Sequence, residues 1–233
     1  MVGNFAVYNT NIMLVNRTAY QAIVKALDQK HVTLVAVSKT KPVEAIEELY
    51  ELGHRDFGEN YVQELVEKQA KLPQDIRWHF IGHLQTNKVK YIAPFVHLIH
   101  GVDSYKLLKE INKQGAKHGR IIEVLLQVHI AQEETKFGLD EKELEEVIKQ
   151  VGEDQLTNIS IRGLMGMASF SDNRTQVKNE FAYLRTLFEK YAGRPSFSIL
   201  SMGMSGDYQL AIEEGSTMVR IGSLLFGARN YQS

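Results

Sequence analysis

Residues 32–52, VTLVAVSKTKPVEAIEELYEL, contain the pattern that decides the fold. Residues 32–37 are apolar or β-branched on both faces, which is typical of a strand buried in a parallel sheet. A helix is predicted over residues 42–52, because proline suits a first helical turn and Gly53 follows as a stop signal. The stretch is therefore a strand, a short loop and a helix.

The same alternation of strand and helix continues along the chain. Further strands are predicted at residues 55–58, 78–81, 96–99, 121–128, 159–165, 197–200 and 218–221. Helices are predicted at residues 12–27, 61–70, 86–91, 104–117, 141–151, 176–191, 207–214 and 223–226. Repeated strand–helix units force parallel strands with right-handed crossovers, and eight units in about 200 to 250 residues match a closed barrel.

We therefore predict an α/β protein whose residues 1–233 form a single (β/α)8 TIM barrel domain with an extra N-terminal helix. An open doubly wound sheet is the alternative. A closed barrel has no free sheet edge, so we expect a monomer.

Composition narrows the classes of partner and location. The formal net charge of -1 creates no field that would attract nucleic acid or an anionic membrane. The chain has no cysteine, which excludes disulfides and thiolate metal sites and favours a cytoplasmic location. No apolar run approaches the ~20 residues that cross a bilayer, and the N-terminus lacks the features of a signal peptide.

Lys39 is the first candidate for chemistry, because the active site of such a barrel lies at the carboxyl ends of the strands. It directly follows the first predicted strand. Partial burial would lower the pKa of its amine and allow it to form Schiff bases. An ordinary solvent-facing lysine is the simpler interpretation, and this fragment alone favours it.

Two glycine-containing loops follow the last two predicted strands. Ser205 is predicted to lie at a helix N-terminus after the seventh strand, and Gly222 and Ser223 follow the eighth. Such barrels commonly bind phosphate at this place through backbone N–H groups and hydroxyls. Turns with serine caps are common, so it is the pairing of the two loops that favours a phosphate site.

Arg220 lies inside the last predicted strand, between Val219 and Ile221. Strand side chains alternate, so its guanidinium should face the barrel mouth and needs an acceptor there. A pyridine nitrogen would serve, and the permanently protonated guanidinium would keep that nitrogen unprotonated. A carboxylate partner is the simpler alternative.

Six stretches of the sequence carry a resemblance to one family. They are LVAVSKT at 34–40, FGENYVQE at 57–64, WHFIGHLQTNK at 78–88, GLMGM at 163–167, SMGMS at 201–205 and VRIG at 219–222. Together, in this order, they resemble the pyridoxal-phosphate homeostasis proteins. The resemblance implies a single barrel similar to the N-terminal domain of alanine racemase, with pyridoxal 5'-phosphate (PLP) as the cofactor.

The resemblance also implies roles for individual residues. Lys39 would carry PLP as a Schiff base, and Arg220 would contact the pyridine nitrogen. The other implied cofactor-binding residues are Ser205, Gly222 and Ser223 at the phosphate, with Asn60, Met165, Met204 and His83 around the ring. A core role would explain the methionines equally well. The family is often described with alanine where this chain has Gly206, which should not weaken phosphate binding.

The resemblance further implies a carrier of PLP. In alanine racemase a tyrosine from a separate C-terminal domain supplies a second base, and this chain ends at Ser233, just after the eighth unit. We therefore expect a non-enzymatic protein that acts in vitamin B6 homeostasis and amino-acid balance. PLP-dependent apoenzymes are the expected recipients, with Lys88 and Lys90 as residues that could pass PLP on.

Two enzymes remain as alternatives. One is a small PLP-dependent amino-acid racemase or lyase, in which Tyr61, Tyr208 or His83 supplies the second base. The other is a phosphate-sugar barrel enzyme without PLP, which would leave Lys39 without a role unless it forms a Schiff base with the substrate.

Overall fold

Eight parallel strands close into a barrel in this computed structural model, which describes residues 13–133, 137–194 and 196–227. The strands are β1 Thr33–Val37, β2 Asp56–Glu59, β3 Arg77–Phe80, β4 Leu98–Val102, β5 Ile122–Val128, β6 Ile159–Gly166, β7 Ile199–Ser201 and β8 Met218–Ile221. Each strand pairs with the next along the chain, and β8 pairs with β1. The prediction of a (β/α)8 barrel is therefore confirmed.

Helices follow the strands and surround the barrel. They are α1 Arg17–Asp28, α2 Val43–Glu51, α3 Val62–Gln69, α4 Val89–Ile92, α5 Tyr105–Lys117, α6 Glu141–Glu153, α7 Arg174–Tyr191, α8 Tyr208–Glu213 and α9 Ser223–Phe226. The extra N-terminal helix, α1, precedes the first strand as predicted. None of the helices in the described ranges is long and apolar enough to span a membrane.

Some boundaries differ from the predicted ones. Helix α1 begins at Arg17 because the Asn16 side chain caps it by accepting a hydrogen bond from the Ala19 amide at 3.0 Å; residue 12 lies outside the described residues. The helix predicted over residues 86–91 is a 3-10 turn, Thr86–Lys88, followed by α4. Strand β4 lies later than predicted and includes a histidine and a glycine, which interrupt the apolar pattern.

Strand residues alternate between the barrel interior and the layer beneath the helices. In β8, Val219 and Ile221 belong to the apolar core between strands and helices, whereas Arg220 reaches Ser201 inside the barrel. The alternation in the sequence predicts this orientation. A small apolar cluster fills the middle of the interior and consists of Val35, Leu98, Leu125, Met165 and Met218.

Gly163 controls which side chains of β6 point inward. The pairing of β5 with β6 shifts register between Val124 and Leu125, beside this glycine. Its φ of 152° is unusual for other residues, and an added Cβ would lie 1.8 Å from the Ile199 carbonyl oxygen. Because such a bulge changes the direction of the following side chains, it determines that Met165 faces the interior.

Candidate functional site at the carboxyl ends of the strands

A cavity of about 550 Å³ opens at the carboxyl ends of the strands. Small-molecule sites typically enclose about 300 to 1,000 Å³. Most of the predicted site residues line it, namely Lys39, Asn60, Met204, Ser205, Arg220, Gly222 and Ser223. They come from the ends of β1, β2, β7 and β8, so the closure of the barrel brings the first and last units of the chain together.

Two predicted residues do not line this cavity. Met165 is 1% exposed and lies in the apolar cluster below it. Met167, just beyond the end of β6, packs against that cluster and lines the cavity instead. His83 lies in a neighbouring groove of about 650 Å³, which shares only Asn60 with the cavity.

His83 has partners of its own in that groove. Its ring stacks on Phe137 with 4.4 Å between centroids, and its Nδ1 lies 3.3 Å from a carboxylate oxygen of Asp103. Tyr61 and Lys88 line the same groove. The structure therefore separates His83 from the residues around Lys39 and Arg220.

Lys41 and Asp207 line the cavity although the sequence reasoning gave them no role. The Lys41 amine donates to the Phe226 carbonyl at 2.8 Å, which ties the loop after β1 to the end of α9. Asp207 accepts a hydrogen bond from the Met204 amide at 2.5 Å. Lys41 follows the same strand as Lys39, so the strand-end rule that selected Lys39 could have found it.

Arg220 is 4% exposed and is held by uncharged partners. Its guanidinium donates to the Ser201 hydroxyl at 2.6 Å and to the Gly166 carbonyl at 3.1 Å. Burial lowers its pKa to about 10, while the charge of Asp207 acts in the opposite direction. A guanidinium has five N–H groups, so these two bonds leave donors for a ligand in the cavity that Arg220 lines.

The turn that carries Lys39 is fixed on both sides. The Ser38 hydroxyl donates to a Glu59 carboxylate oxygen at 2.6 Å, and the Thr40 amide donates to Glu64 at 2.6 Å. Thr40 has a φ of 62°, a left-handed conformation that few non-glycine residues adopt. The two carboxylates therefore hold the residues on either side of the lysine.

Lys68 joins these two carboxylates from helix α3. Its amine lies 2.7 Å from Glu59 and 2.7 Å from Glu64, and it also donates to the Ser38 carbonyl at 2.8 Å. Burial raises the pKa of Glu59 to about 7, although Lys68 and the Ser38 hydroxyl stabilise its charged form. Glu59 and Glu64 belong to the stretch 57–64, and sequence reasoning missed their function because it depends on how α3 packs.

The two predicted phosphate loops contact each other. The Gly222 amide donates to the Ser205 hydroxyl oxygen at 3.1 Å, which leaves the hydroxyl proton to donate elsewhere. Ser205 lies in the loop before α8 rather than at the helix N-terminus, whereas Ser223 is the first residue of α9. An added Cβ at Gly206 would meet nothing within 4 Å, so alanine would also fit there.

Asn60 offers an unsatisfied acceptor at the cavity. Its Oδ1 is buried and has no hydrogen-bond partner among the described residues. A buried acceptor without a partner costs about 1 to 3 kcal/mol. The cavity therefore combines two lysines, an arginine and one carboxylate, Asp207, with hydroxyl and amide donors and an acceptor that a donor on a ligand would satisfy. This set fits an anionic ligand with a polar ring.

Comparisons with known proteins identify the family of the chain. Residues 15–230 match the family described as alanine racemase, N-terminal domain. The chain is 43% identical over 201 residues to a pyridoxal phosphate homeostasis protein of Aquifex aeolicus, covering 85% of this chain and 87% of that protein. An Escherichia coli protein with the same name is 39% identical over 210 residues, covering 87% of this chain and 88% of its own length.

Solved structures give the same result. PipY of Synechococcus elongatus is 37% identical, and its structure without PLP superposes with a TM-score of 0.84 over 90% of this chain and 99% of PipY. Its structure with PLP bound gives a TM-score of 0.80 over 90% of this chain and all of PipY. The chain therefore belongs to the pyridoxal phosphate homeostasis protein family, whose barrel is that of the alanine racemase N-terminal domain.

Proposed function

We propose that this chain binds PLP in the cavity, holds it as a Schiff base on Lys39, and acts in intracellular PLP (vitamin B6) homeostasis and amino-acid balance. The observation that carries the proposal is that Lys39, Arg220 and the Ser205–Gly222 pair line one cavity. These groups match the aldehyde, the pyridine nitrogen and the phosphate of PLP.

Each side chain has a separate task in binding. The Ser205 hydroxyl and the backbone at Gly222 and Ser223 hold the phosphate, and Arg220 donates to the ring nitrogen. Bound PLP supplies an aldehyde that condenses reversibly with a primary amine. The Lys39 amine is held at the cavity for this purpose by its anchored turn. The Asn60 carbonyl oxygen accepts from a hydroxyl of the ligand, and Met167 and Met204 provide an apolar surface for the ring.

The proposal is tested by an absorbance spectrum of the purified protein with PLP, before and after borohydride reduction. We expect a visible imine band that disappears on reduction, and peptide mapping should place the reduced adduct on Lys39. The absence of a band, or an adduct spread over surface lysines, would contradict the proposal and leave an anion-binding barrel of other function.

We further propose that the protein carries PLP rather than acting as an enzyme on it. Racemisation needs a second base beside the lysine, and none of the cavity-lining residues in the described ranges is a tyrosine or a histidine. Tyr61 and His83 line the neighbouring groove, and Tyr208 begins α8. The amine of Lys41, the second lysine at the cavity, is engaged with a backbone carbonyl.

Exchange of the α-proton of amino acids with solvent distinguishes a carrier from an enzyme. With the PLP-loaded protein and a panel of amino acids in deuterated buffer, we expect exchange no faster than with free PLP at the same concentration. Nuclear magnetic resonance would follow the loss of the α-proton signal. Exchange at ordinary enzyme rates, ~1 to 10³ per second, would establish a racemase or lyase instead.

The remaining partners follow from the carrier role. We propose that a cytoplasmic monomer passes PLP to PLP-dependent apoenzymes, without contact with nucleic acid or membrane. The absence of cysteine and the formal net charge of -1 support this. Lys88 and Lys90 lie 5.6 and 5.0 Å from the centre of the Tyr91 ring, beside the groove that adjoins the cavity. There they could receive PLP on its way out.

A further inference from the structure

A chain of hydrogen-bonded side chains crosses the barrel interior and ends at Arg220. His79 Nε2 lies 3.0 Å from an Asp56 carboxylate oxygen, and His79 Nδ1 lies 2.9 Å from His100 Nε2. His100 Nδ1 lies 3.2 Å from the Ser201 hydroxyl oxygen, which accepts from Arg220 at 2.6 Å. All five side chains belong to residues that are at most 8% exposed.

This series of hydrogen-bonded side chains connects opposite ends of the barrel. Asp56 is the first residue of β2, where Arg77 donates to both of its carboxylate oxygens at 2.7 and 2.5 Å. Arg220 lies one residue before the end of β8 and lines the cavity. A charged group at the amino ends of the strands is therefore linked to the cavity at their carboxyl ends.

The groups at the two ends of this hydrogen-bonded series determine where its protons lie. Burial disfavours the charged form of Asp56, but hydrogen bonds from Arg77 and His79 hold its pKa below the usual range, so it accepts from His79 Nε2–H. Burial lowers the pKa of His100 well below the usual value, so His100 is neutral. Because the Ser201 hydroxyl oxygen accepts from Arg220, its own proton is directed to His100 Nδ1, so neutral His100 donates from Nε2–H to His79 Nδ1.

This arrangement compensates the charge of Arg220. A buried cation is costly unless nearby groups offset its charge; Asp207 supplies one negative charge, and the two hydrogen-bond partners of Arg220 are uncharged. In each hydrogen bond of the series the proton points away from Arg220. The dipole of each donor group therefore presents its negative end to the guanidinium. The series ends on the carboxylate of Asp56, and hydrogen bonds in such networks strengthen one another.

We propose that Asp56, His79, His100 and Ser201 form a positioning relay, which fixes the Ser201 hydroxyl and thereby sets the orientation and hydrogen-bond strength of Arg220 toward the ligand ring. The inference rests on the proposed binding of PLP, with Arg220 at the ring nitrogen. None of the first three residues contacts the cavity, so they act through Arg220 and not on the ligand itself.

A bound metal is a weaker explanation of the same residues. Asp56, His79 and His97 offer ligand atoms within 4.8 Å of one another. However, Arg77 occupies both oxygens of Asp56, and a metal cation beside that guanidinium would be repelled. The hydrogen bond between His79 and His100 connects His79 with Arg220 and does not involve His97. A relay explains this bond, whereas a metal site does not.

The relay is tested with His100→Leu in the full chain, because leucine has a similar volume and removes both hydrogen bonds. His97→Leu is the matched control, since the His97 ring lies 5.4 Å from that of His79 but outside the relay. We expect His100→Leu to weaken PLP binding about tenfold, the worth of one misaligned charged hydrogen bond, and to shift the absorbance maximum of bound PLP. His97→Leu should change neither.

Equal affinity and equal spectra in His100→Leu and wild type would overturn the relay while leaving PLP binding intact. Failure of wild type to bind PLP would instead overturn the proposed function, so the two failures are distinguishable. A second measurement needs no substitution. Nitrogen-15 spectra of ligand-free wild type should show His100 with its proton on Nε2 and none on Nδ1. A proton on Nδ1 would overturn the relay even if His100→Leu failed to fold.

Discussion

Lys39→Ala should abolish the adduct that borohydride fixes, while PLP still binds weakly and reversibly. The substitution removes the amine that forms the imine, but the phosphate loops at Ser205 and Gly222 and the Arg220 guanidinium remain. We expect no visible imine band and no mass increase after reduction. Equilibrium dialysis with PLP should give a dissociation constant at least about tenfold higher than that of wild type, a loss of about 1.4 kcal/mol.

Lys41→Met is the matched control for that experiment, because Lys41 lies in the same loop and also lines the cavity. Its amine is bonded to the Phe226 carbonyl and serves to hold α9, so this variant should bind PLP less tightly but still form the adduct on Lys39. An unchanged imine band in Lys39→Ala would assign the Schiff base to Lys41. So would an adduct that is lost in Lys41→Met but kept in Lys39→Ala.

Lys68→Met should destabilise the folded protein by about 3 to 5 kcal/mol, because it leaves buried Glu59 without its cation. In a barrel of this size such a loss lowers the melting temperature by roughly 10 °C. Urea unfolding followed by circular dichroism measures the free energy directly. Lys71→Met is the control: this lysine is exposed just beyond α3, and its loss should change stability by no more than about 0.5 kcal/mol.

The effect of Lys68→Met should depend on pH. The pKa of Glu59 is raised to about 7 in the folded state, above its unfolded value of about 4.3. The folded state then binds the extra proton, so the contribution of Glu59 to stability falls as pH rises between these values. Without Lys68 the folded pKa rises further, so the destabilisation should be larger at pH 8 than at pH 5. Equal losses at both pH values would contradict this account of Glu59.

The fold and the direction of Arg220 could be predicted from the sequence because both depend on local periodicity. A strand places alternate residues on opposite faces, so Arg220 between Val219 and Ile221 must face the interior. The same rule identifies a face but not a depth along the strand. Met165 lies buried inside β6, whereas Met167 reaches the cavity because it lies just beyond the end of the strand.

Contacts between distant elements could not be predicted in this way. The anchoring of Ser38 by Glu59 and Lys68 depends on the packing of α3 beside β2, which brings Lys68 to the residue after β1. The relay from Asp56 to Arg220 uses side chains of five strands, and each histidine in it has an ordinary structural explanation when considered alone. Sequence patterns assign residues to elements, whereas these networks arise from the closure of the barrel.

The anchored turn around Lys39 has a consequence for the rate and entropy of binding. Ser38 and Thr40 are fixed by Glu59 and Glu64 through hydrogen bonds that involve protein atoms alone. Binding therefore does not require a loop to become ordered, a process that costs about 0.5 to 1.5 kcal/mol for each side chain immobilised. A lysine held in this way should accept and release PLP without ordering of its turn, so we expect exchange to follow the chemistry of the imine bond.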